Sequence, residues 1–243
     1  MSQHTPLETK NIDALILCGG MGKRLRAILS DRPKPMAEIG GMPFLDILID
    51  YLMTFGFRRF ILCTGYKGLM IEQWYKVRKQ PCEVLISEEK ISLGTAGAIK
   101  NAQSFIRSSP FLVMNGDSLC RIDFFELLKF HQQKQASVSL VIGKADETKG
   151  CGLLTINASQ QITRFTEKRK EGGVRFINYG TYLFNKDVLS LLPPHEKSSL
   201  EYDIFPKLIG KGFYGFLTKE KLIEIGTPEG LKRAHALLAR RNP

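Results

Sequence analysis

The sequence predicts an α/β protein, in which a mostly parallel sheet is flanked by helices and is followed by a β-rich part. Two observations lead to this prediction. The first half alternates short, continuous apolar runs with helical patterns, and such runs are typical of strands buried on both faces of a sheet. After residue 136 the chain changes to closely spaced β-rich runs with turns between them. Because ligands of open parallel sheets bind at the carboxyl ends of the strands, we expect functional residues there.

The elements of this fold can be assigned in order along the chain. Strands are expected over 14–18, 59–64, 83–87 and 111–114, and helices over 44–55, 69–75, 95–105 and 124–133. The β-rich part has candidate strands over 137–142, 153–156, 162–167 and 175–184, followed by helices over 202–209 and 228–239. No internal repeat or low-complexity linker interrupts the pattern. We therefore expect a single domain over 12–243 after an N-terminal extension of residues 1–11.

Composition places the chain among ordinary globular proteins. A hydrophobic content of 43% over 243 residues is enough for a packed core, so a disordered or fibrous protein is not expected. No apolar run reaches membrane-spanning length, and the polar start lacks an apolar signal core. The five cysteines are an odd number without CxxC spacing, which indicates reduced thiols. We expect a cytoplasmic protein that does not associate with membranes.

The net charge of +11 favours anionic partners: nucleic acid, an acidic membrane or phosphorylated small molecules. The charges are dispersed, and neither an arginine-rich tract nor a zinc-finger spacing occurs. Nucleic acid is therefore not the expected partner.

A glycine cluster follows the first predicted strand and suggests phosphate binding, because Gly19, Gly20 and Gly22 let backbone N–H groups approach an anion. Neither familiar nucleotide motif fits: a dinucleotide fingerprint needs a glycine at position 25, and a P-loop needs Ser or Thr after Gly22-Lys23. The loop instead carries Lys23 and Arg24, a combination that suits a triphosphate. The alternative is a tight turn with solvated cations.

Three further charged residues stand in unusual settings. Lys34 lies between two prolines, which present its ammonium group from a stiff segment where it can stabilise a transition state. Asp117 follows a predicted buried strand and can hold a hard cation, and Glu224 can supply a second carboxylate. Seen singly, each is also compatible with a turn or an exposed strand end.

Taken in order, these elements resemble the sugar-1-phosphate nucleotidyltransferase family over roughly residues 12 to 235. The matching segments are Leu17-Cys-Gly-Gly-Met-Gly-Lys-Arg-Leu25, Pro33-Lys-Pro35, Leu93-Gly-Thr-Ala-Gly-Ala98, Asp117, Glu167-Lys168, Asn178-Tyr-Gly180 and Glu224-Ile-Gly-Thr-Pro228. Three more segments are most similar to D-glycero-D-manno-heptose 1-phosphate guanylyltransferases: Arg32-Pro-Lys-Pro-Met-Ala-Glu-Ile39, Pro43-Phe-Leu45 and Ser199-Leu-Glu201. Mannose-1-phosphate guanylyltransferases are also similar.

The resemblance implies a Rossmann-like nucleotide-diphospho-sugar transferase fold with a β-rich sugar-binding lobe. Residues 12–135 would mainly bind the nucleotide, and 136–243 would form the sugar-binding lobe and a C-terminal helix. The implied reaction joins GTP to a sugar 1-phosphate, giving pyrophosphate and a GDP-sugar for bacterial surface polysaccharide, with a homo-oligomer left open. A pyrophosphorylase for UDP- or dTDP-sugars remains an alternative.

The resemblance also implies a role for each matching residue. The catalytic residues would be Arg24, Lys34 and Asp117, with Mg²⁺ on Asp117 and Glu224. The nucleotide would contact Leu17, Gly19, Gly20, Gly22, Lys23, Gly94 and Thr95, although Thr95 could equally cap a helix. The sugar phosphate would contact Glu167, Lys168, Asn178 and Gly180.

The base is expected to be guanine. Its adjacent N1–H and N2–H₂ donors suit one carboxylate, which would be Glu88 or Glu89, and Glu88 is the assignment made here. The alternative is that both are solvated acids at a strand end.

Two departures from the family pattern support a rival hypothesis. Lys23 stands where the family usually has Thr, and Glu224 replaces the usual Asp. A catalytically silent homologue that binds nucleotide sugars and regulates a partner would tolerate both changes.

Overall fold

The computed structural model of the protein describes residues 8–25, 28–145, 153–166 and 175–238. The strands of these ranges are β1 (Asp13–Leu17), β2 (Glu38–Ile39), β3 (Met42–Pro43), β4 (Arg59–Thr64), β5 (Glu83–Glu88), β6 (Phe111–Asn115), β7 (Ser118–Cys120), β8 (Val138–Lys144), β9 (Leu153–Ile156), β10 (Ile162–Thr166), β11 (Phe176–Phe184), β12 (Phe213–Leu217) and β13 (Leu222–Glu224). The helices are α1 (Phe44–Thr54), α2 (Gly68–Val77), α3 (Gly94–Asn101), α4 (Phe124–Gln133), α5 (Phe205–Leu208) and α6 (Pro228–Leu238).

One large sheet organises the molecule, and the predicted α/β fold class is confirmed. The strands β5, β4, β1 and β6 are neighbours in that order and are parallel to one another. β11 is antiparallel to both β6 and β8, and β12 then lies parallel to β8. The β-rich part therefore continues the same sheet, because the nine residues of β11 pair with β6 at one end and with β9 at the other.

The sheet is covered on both faces, as the apolar runs predict. Ala14 and Ile16 of β1 belong to one core cluster and Leu15 to the other, and all three side chains are fully buried. Alternate residues of a strand point to opposite faces, so these two clusters are the two sides of the sheet. The first cluster includes residues of α1, α2, α4 and α6, and the second includes residues of α3 and α5.

Several short elements were missed from the sequence. They are the β2–β3 hairpin, the β7–β13 pair and β12, each of two to five residues and too short for a clear periodicity. The helix expected over 95–105 ends at Asn101 and is followed by a 3₁₀ turn. The segment expected to be helical over 202–209 begins as a π-helical turn, Leu200–Ile204, before α5.

The expected N-terminal extension is partly packed against the domain. Residues 1–7 lie outside the described residues, whereas Thr9 is buried and its hydroxyl donates a hydrogen bond to the carbonyl of Phe55 after α1. Within the described ranges, no helix is both long enough and apolar enough to cross a membrane.

Candidate active site

A cavity of about 230 Å³ opens at the carboxyl ends of β1, β5 and β6, where the parallel sheet is expected to bind ligands. Its walls are the glycine loop after β1, the Lys34-Pro35 turn, Glu89 after β5, and the start of α3. Asn115 and Asp117 complete it from the end of β6. Seven of the expected site residues line this cavity: Leu17, Gly19, Gly20, Lys34, Gly94, Thr95 and Asp117.

The glycine loop owes its shape to two different constraints. A β-carbon added at Gly19 would lie 2.4 Å from Glu89 Oε1, so this position admits only glycine while Glu89 stays in place. Gly22 has φ +58°, which favours glycine, and it is followed by a 3₁₀ turn over Lys23–Leu25. Gly20 is exposed and lies against open space, so its backbone faces the cavity without obstruction.

Lys34 forms an ion pair with Asp117 at the cavity wall. The distance between Lys34 Nζ and Asp117 Oδ2 is 2.7 Å, and the two side chains are 15% and 31% exposed. Lys34 lies in a 3₁₀ turn that begins after Pro33, so its backbone is held by the prolines as the sequence predicts. The structure thus brings together two of the three expected catalytic residues.

Arg24 is exposed and lies beside the same pair. A β-carbon added at Gly226 would be 3.7 Å from Arg24 Nη2 and 3.9 Å from Lys34 Nζ. Gly226 belongs to the late Glu-Ile-Gly-Thr-Pro segment. The glycine loop, the Lys34 turn and the late segment around Gly226 therefore meet beside the Lys34–Asp117 pair, and Arg24 and Lys34 place two cations there.

Glu224 does not line the cavity, but its strand is paired with the strand that follows Asp117. It pairs with Ser118 across the β7–β13 ladder, and the Ile225 N–H donates to the Asp117 carbonyl at 3.0 Å. Among the described residues, no group of three or more His, Cys, Asp or Glu converges on one point. Within the described ranges, a divalent ion would therefore find at most two carboxylates here.

Of the two acids before Gly94, the structure brings Glu89 and not Glu88 to the cavity. Glu88 is exposed at the end of β5, whereas Glu89 is half-buried and accepts a hydrogen bond from the Leu93 N–H at 3.1 Å. The structure thus places Glu89 rather than the assigned Glu88 at the cavity, because neighbouring residues at a strand end point in opposite directions. Burial raises the pKa of the Glu89 carboxyl, and the Leu93 N–H partly offsets this.

The segment around Ser198, which is distant in the sequence, packs against the start of α3 and hydrogen-bonds to it. Gly94 has φ +72°, and a β-carbon there would lie 2.5 Å from the Ser198 carbonyl. That carbonyl accepts from the N–H groups of Ala96 and Gly97, so these amides are not free for a phosphate. Thr95 does not cap α3: its hydroxyl accepts the Leu200 N–H at 2.7 Å.

Two of the expected sugar-side residues, Asn178 and Gly180, lie next to this cavity wall. Gly180 has φ +69°, and a β-carbon there would lie 2.4 Å from Asn115 Nδ2, so glycine is needed for the close approach of Asn115. The Asn178 side chain accepts the Gly180 N–H at 2.7 Å and donates to the Tyr182 hydroxyl at 2.8 Å. Glu167, Lys168 and the side chain of Lys23 lie outside the described residues.

Asn115 and Cys18 are among the cavity residues to which the sequence assigned no role. Asn115 lines the cavity from the end of β6. Cys18 also lines it but is 1% exposed, and burial raises the pKa of its thiol well above the ordinary value. This thiol stays protonated and is a poor nucleophile.

A glycine loop, clustered cations and a carboxylate at the ends of parallel strands define this protein as one of the nucleotide-diphospho-sugar transferase fold. The sequence profile of the family described as nucleotidyl transferase matches residues 13–241. The chain belongs to this family, and the predicted resemblance is confirmed.

Several relatives match over most of this chain. D-glycero-alpha-D-manno-heptose 1-phosphate guanylyltransferase of Aneurinibacillus thermoaerophilus is 36% identical over 92% of this chain and 96% of its own. Mannose-1-phosphate guanylyltransferase of Mycobacterium tuberculosis is 31% identical over 96% of this chain, which spans only 66% of that relative. The crystal structure of HddC from Yersinia pseudotuberculosis complexed with GMP-PN has a TM-score of 0.80 and 36% identity, over 93% of this chain and 99% of that one.

Proposed function

We propose that the protein transfers GMP from GTP to a sugar 1-phosphate, D-glycero-α-D-manno-heptose 1-phosphate, and releases pyrophosphate. The observation that carries this proposal is the meeting of the glycine loop, the Lys34–Asp117 pair and Glu89 in one cavity. The heptose 1-phosphate guanylyltransferase of Aneurinibacillus, which matches nearly end to end, supports this choice of substrates.

The main physical task is to bring two polyanions together. Arg24 and Lys34 both lie close to Gly226, so both cations can face phosphate oxygens that bind over the glycine loop. In this proposal, Arg24 binds the triphosphate and stabilises the departing pyrophosphate, while Lys34 stabilises charge near the α-phosphate. The backbone N–H groups of the loop add further donors.

The reaction needs no protein nucleophile. An oxygen of the sugar phosphate attacks the α-phosphorus in line, and the bond from that phosphorus to the bridging oxygen of the β-phosphate breaks. The electron pair leaves with pyrophosphate, so the charges balance without proton transfer. The protonated state of the Cys18 thiol agrees with this route, since no thiolate is required.

Glu89 is the proposed reader of the base. Its carboxylate lies in the cavity beside Gly19 and can accept both N1–H and N2–H₂ of guanine. Uracil and thymine offer one such donor and would leave the acid half paired.

The donor set at Asp117 fits a magnesium ion. The Asp117 side chain is 31% exposed at the cavity wall, and the Lys34 ammonium on Oδ2 and the Ser118 hydroxyl on Oδ1 hold its carboxylate in place. Asp117, with Glu224 as the second carboxylate, would hold Mg²⁺, which favours one or two carboxylates together with phosphate oxygens and water. When bound, the ion would neutralise charge on the phosphates.

The sugar phosphate is proposed to bind on the side of Asn178 and Gly180. The Asn178 amide keeps one N–H and one lone pair for a sugar hydroxyl, because its two described hydrogen bonds use one of each. Glu167 and Lys168 are proposed to complete this side, with Lys168 holding the phosphate.

The proposed setting is the cytoplasm, where the product would be a precursor of bacterial surface polysaccharide. The four cysteines of the described residues are all free thiols, as a reducing compartment requires.

Mannose 1-phosphate is the second candidate substrate, favoured by the match to the mannose-1-phosphate guanylyltransferase over 96% of this chain. It differs from the heptose in lacking one carbon of the side chain. A hydrophobic contact to that carbon would distinguish the two sugars only modestly, whereas a buried hydrogen bond to the hydroxyl that it carries would distinguish them strongly.

The decisive experiment measures pyrophosphate release with Mg²⁺, each of GTP, UTP, CTP, ATP and dTTP, and a panel of sugar 1-phosphates. We expect release with GTP and the manno-configured heptose. A preference for UTP or dTTP would overturn the guanine assignment, and no release with any pair would favour the catalytically silent homologue. An Asp117→Asn preparation purified in parallel controls for contaminating enzyme.

A further inference from the structure

A short segment after residue 197 connects the two halves of the proposed site. The Ser198 N–H donates to the Leu93 carbonyl at 2.8 Å, and the Ser198 carbonyl accepts from Ala96 at 2.9 Å. These bonds fasten the segment to the start of α3, on the nucleotide side. The segment then continues as the π-helical turn Leu200–Ile204, a conformation that is often found at functional sites.

The carboxylate of Glu201, which lies in this turn, interacts with the hydroxyl groups of three residues. Ser199 Oγ donates a hydrogen bond to Glu201 Oε2 at 2.9 Å. Thr95 Oγ1 donates a longer hydrogen bond, of 3.4 Å, to the same oxygen. The hydroxyl of Tyr182, a side chain with 0% exposure, is the third group that interacts with this carboxylate. Glu201 therefore meets hydroxyl groups from both sides of the cavity.

The interaction of Glu201 with Tyr182 extends this set of side-chain contacts to the sugar side. Tyr182 accepts from Asn178 Nδ2 at 2.8 Å, and Asn178 Oδ1 accepts from the Gly180 N–H at 2.7 Å. Asn178 and Tyr182 both pair with β8, and the register shifts between them, so the ladder holds their backbones but not the Asn178 amide group. Side-chain bonds are what hold the Asn178 amide.

We propose that Glu201 is a positioning residue, which holds Thr95 on the nucleotide side and, through Tyr182, Asn178 on the sugar side. It does not touch the reacting atoms. This proposal rests on the function proposed above, because it assumes that both sides of the cavity bind substrate.

The chemistry of the donors explains why a carboxylate is needed at position 201. Ser199 and Tyr182 both present O–H groups, and an ionised carboxylate accepts several such bonds because it has no proton of its own. The amide of glutamine has the same shape but turns one acceptor oxygen into an N–H₂ donor. That donor would face hydroxyl groups already committed, so the network would have to rearrange.

The test uses two variants of the full chain and one matched control. In Glu201→Gln both ends of the network lose their anchor, so we expect KM to rise for GTP and, by about tenfold, for the sugar 1-phosphate. Tyr182→Phe removes the interactions of the hydroxyl with Asn178 and Glu201 and leaves the contact between Glu201 and Thr95, so KM should rise for the sugar 1-phosphate and not for GTP. Glu196→Gln makes the same charge change at an exposed position five residues away and should leave both KM values unchanged.

Crystal structures of wild type and Glu201→Gln supply a readout that does not need turnover. A changed rotamer of Thr95 or a turned Asn178 amide in the variant supports the proposal. Unchanged positions of both side chains overturn it, as does a variant that only melts earlier with both KM values intact.

The two proposals fail in different ways. If the wild-type protein releases no pyrophosphate with any substrate pair, the proposed function is wrong. The crystal structures then still decide whether Glu201 positions Thr95 and Asn178. If the wild type is active and both substitutions leave the KM values unchanged, only the positioning role is wrong.

Discussion

The surroundings of Glu89 hold its carboxylate in one place. Its carboxylate lies between Gly19 and Gly65, where added β-carbons would be 2.4 and 2.7 Å from Oε1, so the side chain has little freedom to turn. A carboxylate confined in this way can discriminate between bases, because an unpaired acceptor cannot move to water.

Glu89→Gln should therefore reduce the preference for GTP. The amide loses one of the two acceptors for guanine, and we expect kcat/KM for GTP to fall by about tenfold to a hundredfold. The measurement is pyrophosphate release with GTP and with ATP. Glu88→Gln, the exposed neighbour, is the control, and a larger effect from Glu88→Gln would restore the original assignment.

The raised pKa of Glu89 also predicts a pH dependence. Guanine needs the ionised carboxylate, so kcat/KM for GTP should fall as the pH drops through this pKa, which burial places above the ordinary glutamate value. In Glu89→Gln this step should be missing. Comparing the pH profiles of the two proteins removes the titration of GTP itself, and identical profiles would contradict the base-reading role.

Asp117→Asn should remove turnover and keep the fold. The substitution takes the charge away from Lys34 and from the proposed magnesium ion, and losses of preorganised charge of this kind cost about a hundredfold or more in rate. Pyrophosphate release measures the loss, and circular dichroism checks the fold. Glu72→Gln on the exposed surface of α2 is the control, and an active Asn variant would defeat the metal proposal.

At the scale of elements, the start of α3 depends on a contact with a segment about a hundred residues away. Gly94 has a positive φ, and the Ser198 carbonyl occupies the place where a β-carbon would go. Gly41 also has a positive φ, +83°, but a β-carbon there would meet only open space. The two glycines therefore separate the cost of backbone conformation from the cost of a clash.

Gly94→Ala should destabilise the protein more than Gly41→Ala does. Both variants place a side chain at positive φ, at a cost of about 1 kcal/mol or more in the free energy of unfolding. Only Gly94→Ala also pushes away the segment that carries Glu201, so its kcat/KM should fall as well. Urea denaturation and pyrophosphate release measure the two effects, and equal losses of stability would contradict the contact.

At the scale of the whole molecule, the net charge of +11 has to be reconciled with a small-molecule site. The cations nearest the cavity, Arg24 and Lys34, belong to the site itself. The excess charge of the surface raises the local concentration of anionic substrates without choosing among them.

Duplex DNA is therefore expected to leave pyrophosphate release unchanged at about 0.15 M salt, while the KM for GTP rises with ionic strength. Release assays with and without a DNA duplex measure the first effect, and a salt series measures the second. Tight DNA binding that weakens steeply with salt would instead support the nucleic-acid hypothesis.

Much of the fold could be predicted from the sequence, and the reason is local. β1 and β6 are continuous apolar runs, and their 0% exposed residues confirm strands buried on both faces. The β7–β13 pair escaped prediction because three residues carry too little periodicity. The place of β11 between β6 and β8 depends on pairing between distant strands, about which local patterns say nothing.

The sequence by itself determined the family, the glycine loop, the stiff Lys34 turn and the order of the motifs, because each depends on neighbours within a few positions. Only the tertiary structure decided that Glu89 and not Glu88 enters the cavity, and that Glu201 meets Thr95, a residue 106 positions away. Which way a side chain points at a strand end, and which distant hydroxyl it meets, follows from how the whole chain packs.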